Sequence, residues 1–412
     1  MTDRGPGTTL RPFYWRATRL FADTPLVSPD RRLDYGAFDE RVRSLAAALS
    51  ALGVGRGGRV GTLAGNTVRH LETFFAVPLL GGRINPVNAN LSGDGVVDVV
   101  RDAGNEVLFV APGEPFRTVD AHFSNLDPVE LVVVMDDAVP TTALPDGRVV
   151  DYESLLAGAG DPPAWPDLPG DQPASICYTS GSTGEPKGAE YTQSMLHTYT
   201  LMSMTPAGSH VAQDDVVMPV VPMFHVNSWG LPYAATAAGA KQVYPGPDPT
   251  PARLAELVET EGVTVTNGVP TVWIDFLEHV REHDVDLSSL DRIVTGGFAV
   301  PDHLIEAYDD LGVALEHTWG MTETMSLAAA SRPKSREQDW SVESALSRRA
   351  KQGLLAPGYE MQVVDEDDEP VPWDGETPGE LLIRGPTVID EYHECPAATR
   401  NASLGRPLLF EG

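Results

Sequence analysis

Residues 174–188 read Ala-Ser-Ile-Cys-Tyr-Thr-Ser-Gly-Ser-Thr-Gly-Glu-Pro-Lys-Gly. A short apolar run (174–178) passes directly into small, hydroxylated and glycine residues that end at Lys187. That is the pattern of a buried strand whose carboxyl end opens into a loop able to hold an anion. Backbone N–H groups and hydroxyls can close around phosphate oxygens, and Lys187 adds a positive charge. It is a phosphate loop by chemistry, but not a Walker A loop. Pro186 stands where that motif needs Gly, and Gly188 rather than Ser or Thr follows the lysine.

On both sides of this stretch, short β-branched runs alternate with amphipathic ones. Toward the N-terminus, apolar residues at Phe38, Val42, Leu45, Leu49 and Leu52 form a helical stripe with Asp34 as N-cap and Gly53 as stop. Next come an apolar run at 60–63, a helical stretch to Leu80 before Gly81-Gly82, a helix at 96–100 and strands at 107–110 and 131–135. After the loop, strands are expected near 216–221, 241–244, 264–267 and 292–295, with helices at 251–261 and 271–282 between them. Alternation of this kind implies α/β architecture with mainly parallel sheets covered on both faces. A Pro/Gly-rich stretch at 139–173 reads as a junction. From Met361 short β-like runs take over, separated by an acidic turn at 365–369 that reads as a solvated hairpin tip. The expected organisation is two stacked αβ subdomains, 1–170 and 171–355, and a small β subdomain, 356–412.

The chain has 412 residues, 42% of them hydrophobic, which excludes a disordered protein despite a formal charge of -30. No run of about 18 apolar residues occurs, so no membrane-spanning helix is expected, and Met1–Leu10 lacks the apolar segment of a secretory signal. A cytoplasmic protein follows. Acidic residues number 59 against 29 basic, which argues against nucleic acid as a partner. The only lysines are Lys187, Lys241, Lys334 and Lys351. An acidic, lysine-poor surface suits molar salt, so a halophilic host is expected. Cys177 and Cys395 are far apart with no metal-ligand spacing and read as small apolar side chains in a reducing compartment.

Four further stretches carry chemistry. In Pro222-Met-Phe-His225-Val226-Asn-Ser-Trp229-Gly230 an imidazole beside an apolar wall can orient a carboxylate or phosphate while the wall takes a chain. Gly268-Val-Pro-Thr271 and Thr295-Gly296-Gly297-Phe298-Ala299 follow strands, where glycine permits close approach to a flat ligand. In Trp319-Gly320-Met-Thr322-Glu323 an indole face, a hydroxyl and a hard carboxylate stand almost adjacent.

In these motifs and their order, from about Arg11 to Arg400, the chain resembles the AMP-forming acyl-CoA synthetases of the adenylate-forming superfamily, in the medium- or long-chain fatty-acid ligase version. Gly379-Glu-Leu-Leu-Ile-Arg-Gly-Pro386 resembles that family's next block. The resemblance implies the large N-terminal domain of that fold, activation of a fatty acid to acyl-AMP and then acyl-CoA, and use of ATP, Mg2+ and CoA. It assigns nucleotide contacts to Thr179, Ser180, Gly181, Ser182, Thr183, Gly184 and Lys187. Gly296, Gly297, Phe298, Trp319, Gly320 and Thr322 complete that set, with Trp319 stacked on adenine and Thr322 on the α-phosphate. The acid falls to His225, Val226, Trp229 and Gly297, with Trp229 a wall or gate, and the metal to Thr183 and Glu323. Lys187, His225, Thr322 and Glu323 become the catalytic set, and a homodimer is expected from the resemblance alone. Ser182 and Trp319 stand where the family more often has Thr and Tyr.

Past Arg400 the pattern stops, without the family's ribose-gripping Asp, its hinge Arg or the lysine of its mobile C-terminal domain. Impaired turnover is therefore expected, by truncation or frameshift. Two alternatives stay open: a non-catalytic nucleotide- or acyl-binding remnant, and a ligase for aryl or other small acids.

Overall fold

The computed structural model describes residues 8–179, 186–334 and 341–403. Its first sheet orders seven strands as Val149–Asp151, Leu131–Val134, Val107–Val110, Arg59–Leu63, Arg83–Pro86, Pro173–Thr179 and Lys187–Thr192. All pairings are parallel except the last. The second sheet has nine strands: Leu354–Leu355, Ser326–Ala330, Ala314–Met321, Arg292–Gly296, Val265–Gly268, Val216–Pro219, Lys241–Val243, Pro25–Ser28 and Arg31–Asp34. Its interior is parallel and its ends are antiparallel. Strands such as Val107–Val110 are buried along their whole length. This is why they read as continuous apolar runs rather than alternating ones.

Strand membership does not follow the expected division at residue 170. Leu26 and Val27 pair with Gln242 and Val243, so the N-terminal hairpin belongs to the second sheet. Ser175 pairs with Ile84, so the hairpin carrying the phosphate loop closes the edge of the first. Such long-range pairing leaves no trace in local periodicity. Glu360–Val364 and Glu380–Arg384 form the separate antiparallel pair. In the turn between them the Asp365 carboxylate accepts from the amides of Asp367 and Glu369, at 3.0 Å each, so it is engaged with its own backbone.

Local signals act as read. Asp34 caps the helix Tyr35–Ala51 by accepting from the Ala37 amide at 2.8 Å. The helix Val68–Leu79 is buried on every face, as a helix packed inside a large core must be. Its polar side chains are all satisfied. Glu72 accepts from Arg41 Nε and from the Tyr152 hydroxyl, at 2.6 Å each. Arg69 donates to the Met135 carbonyl at 3.1 Å and pairs with Asp30, Asp137 and Glu153. His70 lies between Thr62 Oγ1 at 2.8 Å and the Gly65 carbonyl at 2.9 Å. One apolar cluster around this helix runs from Leu10 through both sheets to Tyr392.

Burial holds the His70 imidazole down to about 4, from an ordinary 6.5. Between those values the unfolded chain binds a proton that the folded chain does not, so stability falls as pH falls from 6.5 toward 4. The full loss for a shift of this size is about 3 kcal/mol. Urea denaturation at pH 7 and pH 4.5 should show His70→Gln losing about 2–3 kcal/mol less than the parent chain over that interval; equal losses would remove His70 as the cause.

Candidate active site

The hairpin that carries the phosphate loop is described up to Thr179 and again from Pro186, and Thr179 pairs across it with Lys187. Ser180, Gly181, Ser182, Thr183 and Gly184 lie outside the described residues. Lys187 Nζ stands 5.7 Å from the centroid of the Tyr392 ring.

The segment after strand Val216–Pro219 takes an uncommon path. Val226, Asn227, Ser228 and Trp229 have φ of 46°, 52°, 55° and 54°, and Gly230 continues at 67°. This is a full left-handed turn, which costs L-residues about 1–2 kcal/mol each. It persists because its surroundings hold it. The Ser228 hydroxyl donates to the Val221 carbonyl at 2.5 Å, the Asn267 amide to the Ser228 carbonyl at 3.0 Å, and the Tyr199 hydroxyl to the Trp229 carbonyl at 3.0 Å. Asn227 Oδ1 accepts from Ser175 Oγ at 3.2 Å and from Cys177 Sγ at 3.4 Å. Burial pushes the Cys177 thiol up to about 12, so it stays a protonated donor.

Opposite this turn, strands Arg292–Gly296 and Ala314–Met321 end side by side, with Gly296 paired to Thr318. A register shift falls between Trp319 and Gly320. A Cβ on Gly320 would lie 1.4 Å from the Ser326 carbonyl oxygen, so only glycine fits there. The 3-10 turn Thr322–Thr324 that follows is pinned from three sides. Tyr191 donates to the Thr322 carbonyl at 2.7 Å, the Ile389 amide to the Glu323 carbonyl at 2.9 Å, and Thr387 Oγ1 to the Thr324 carbonyl at 3.0 Å. Glu323 Oε1 accepts from the Tyr392 hydroxyl at 2.5 Å.

Between turn and strand ends lies a cleft of about 230 Å³. His225, Val226 and Trp229 line one side, and Gly296, Gly297, Trp319, Gly320 and Thr322 the other. Motifs nearly a hundred residues apart thus meet in one cavity. Thr318, Met321, Ser326 and Leu327 also line it and were not singled out from the sequence. Ser326 and Leu327 come from a strand that folds back against Trp319, a pairing no local pattern announces. Phe298 is 69% exposed and is not part of the lining. His225 opens onto the cleft, yet enough protein surrounds it to hold its pKa below the ordinary histidine value. At neutral pH it can both donate and accept a hydrogen bond, and it does not act as a cation.

Among the described residues no cluster of three or more His, Cys, Asp or Glu could enclose a metal ion. Glu323, which follows the cleft-lining Thr322 in the chain and is not itself in the lining, offers one hard carboxylate. That fits Mg2+, which is commonly held by one or two carboxylates together with substrate phosphate oxygens.

A family model described as AMP-binding enzyme matches residues 13–393. The chain belongs to this AMP-binding family. It is 39% identical over 395 residues to a long-chain-fatty-acid–CoA ligase of Thermus thermophilus, covering 95% of this chain and 71% of that one. It is 35% identical over 362 residues to a medium-chain-fatty-acid–CoA ligase of Ectopseudomonas oleovorans, covering 87% and 66%. This AMP-binding chain thus spans about two thirds of the length of such relatives. In fold it is similar to an anthranilate CoA ligase solved in complex with anthranoyl-AMP, at TM-score 0.85 and 22% identity, covering 97% of this chain and 73% of that one. A long-chain-fatty-acid-CoA ligase of Archaeoglobus fulgidus gives TM-score 0.83 at 20% identity, covering 98% and 80%. The α/β architecture with its small antiparallel pair is that of the N-terminal domain of adenylate-forming enzymes.

Gly320→Ala should destabilise the chain by about 3 kcal/mol, the upper end for an overpacked site, since the obstacle is a backbone carbonyl. Gly230→Ala, whose Cβ would meet Tyr199 ring carbons at 2.4 Å rather than a carbonyl oxygen at 1.4 Å, should cost less. Chemical denaturation of the two variants reads the order, and the reverse order would contradict the geometry.

Proposed function

We propose that this chain activates a fatty acid with ATP and passes the acyl group to CoA. A carboxylate oxygen bonds to the α-phosphorus while the bond to pyrophosphate breaks. The CoA thiolate then bonds to the acyl carbon, AMP leaves, and the thiol proton goes to solvent. The observation that carries this reading is the single cleft in which an apolar-walled turn, His225 to Trp229, faces an indole and a hydroxyl, Trp319 and Thr322.

The residues divide the work by chemistry. Trp319 stacks on the adenine, and the Thr322 hydroxyl donates to an α-phosphate oxygen. Lys187 brings its charge to the phosphates from the edge of the first sheet. Neutral His225 orients the incoming carboxylate by a hydrogen bond, while Val226 and Trp229 receive its chain. Glu323 would hold Mg2+, with Thr183 as a further ligand; bound there, the ion neutralises charge developing on the transferring phosphoryl group.

A second reading, a ligase for short or aryl acids, is favoured by Trp229, which is only 9% exposed and walls a cleft of about 230 Å³. Acid-dependent pyrophosphate release, measured from short to long acids with ATP and Mg2+, separates the two. Trp229→Ala should move the preferred acid to greater length; an unchanged profile would take Trp229 out of the wall. Lys187→Ala and Glu323→Gln should each lower release on the order of 100-fold. Release from neither the parent chain nor any variant, with ATP still bound, would favour a nucleotide-holding protein over an enzyme.

We also propose a halophilic, cytoplasmic setting. With 59 acidic against 29 basic residues, self-repulsion is screened at about 1 M salt, where the Debye length is about 3 Å. The melting temperature should rise between about 0.1 M and 2 M KCl, and a fall would count against this setting.

A further inference from the structure

The two charged groups of the proposed site sit on different sheets. Lys187 begins a strand at the edge of the first, and Glu323 lies on the turn that joins two strands of the second. No ion pair joins them among the described residues, although a lysine and a carboxylate serving one phosphate group are natural partners. One side chain touches both. The Tyr392 hydroxyl donates to Glu323 Oε1 at 2.5 Å, and the face of its ring receives Lys187 Nζ at 5.7 Å from the centroid.

The backbone around Tyr392 is tied in the same two directions. Tyr392 bridges Ala189, and the His393 amide donates to the Gly188 carbonyl at 2.8 Å, both on the strand that Lys187 begins. Three residues earlier, the Ile389 amide donates to the Glu323 carbonyl at 2.9 Å. Tyr392 itself is 7% exposed, and its amide donates to Thr399 Oγ1 at 3.0 Å. Its position is therefore fixed independently of any ligand.

We propose that Tyr392 is a positioning residue that keeps Lys187 and Glu323 apart and aimed, so that neither neutralises the other before nucleotide arrives. A neutral phenol suits this task. Its ring attracts an ammonium without pairing with it, and its hydroxyl occupies one carboxylate oxygen, turning the other toward a cation. The proposal rests on the reading of Lys187 and Glu323 given above, with Mg2+ taken up beside substrate phosphates. Motif reasoning missed Tyr392, which lies beyond the last quoted block and carries no charge of its own.

The test is ATP binding by calorimetry, with and without Mg2+, on the full chain. Tyr392→Phe keeps the ring and removes the donor. It should leave Mg2+-free ATP affinity within about twofold and raise the Mg2+ concentration for half-saturation several-fold. Tyr392→Leu loses the ring as well and should also weaken Mg2+-free binding. Tyr392→His, which keeps a ring and an N–H donor, should recover part of the Mg2+ response, and it replaces the Phe variant if that one does not fold. Glu323→Gln separates the two claims. If Glu323→Gln raises the Mg2+ requirement and Tyr392→Phe does not, the role of Tyr392 is overturned while Glu323 stands. If Glu323→Gln leaves the requirement unchanged, the reading of Glu323 itself fails. A Phe variant that weakens binding equally with and without Mg2+ has a packing defect, and that too overturns the proposal.

Discussion

The helix Val68–Leu79 is buried on every face, and the geometry of the cleft depends on it. Its polar residues are anchored in the first unit, through Arg41, Tyr152 and Met135. Its aromatic residues reach the second: Phe74 and Phe75 lie 5.7 and 5.6 Å from the ring of Tyr233. Tyr233 belongs to the helix Leu231–Ala238, which starts where the left-handed turn ends. A displacement of the buried helix would therefore be passed to Trp229 and His225 within a few residues. Interiors packed this densely transmit such shifts and do not absorb them.

The left-handed turn shows the same dependence from the other side. Left-handed backbone at four successive non-glycine residues costs several kcal/mol, about 1–2 for each. No single hydrogen bond offsets that, since a typical one contributes about 1 kcal/mol net. Five groups from four segments bond to the turn, through Ser175 and Cys177, Val221, Tyr199 and Asn267. The strain is thus held by the assembled fold, and what it secures is direction. Val226 and Trp229 face the cleft together with His225, an arrangement right-handed backbone at these positions would not reproduce. Concentrated strain of this kind is characteristic of functional sites.

Much of the architecture was legible because burial and periodicity coincide. Val107–Val110 and Pro251–Glu261 read from the sequence with the bounds they have in the structure. The strand Arg83–Pro86 was missed because it opens on a buried arginine, which distant partners, Glu190 and the Ala103 carbonyl, make acceptable. Ala314–Met321 was missed because its polar residues are matched by partners elsewhere, as His317 is by the Ala350 carbonyl at 2.8 Å. For the site, the motifs pointed to His225, Trp319 and Thr322, which the structure brings to one cleft. They could not announce the left-handed path, since Val, Ser and Trp rarely adopt positive φ and only context imposes it.

Glycine 320 shows how backbone geometry and chemistry constrain one another. The Ser326 carbonyl approaches so closely that no side chain fits, and that approach carries Ser326 and Leu327 into the cleft wall beside Trp319. The indole is therefore positioned by backbone packing within the second sheet, and Thr322 also by the Tyr191 hydroxyl from the first. Val226 and Trp229, by contrast, lie on a turn whose path is held through the side chains of Ser175, Tyr199, Asn227, Ser228 and Asn267. The Trp319 side of the cleft is thus bound to the fold through Gly320 and the Ser326 carbonyl.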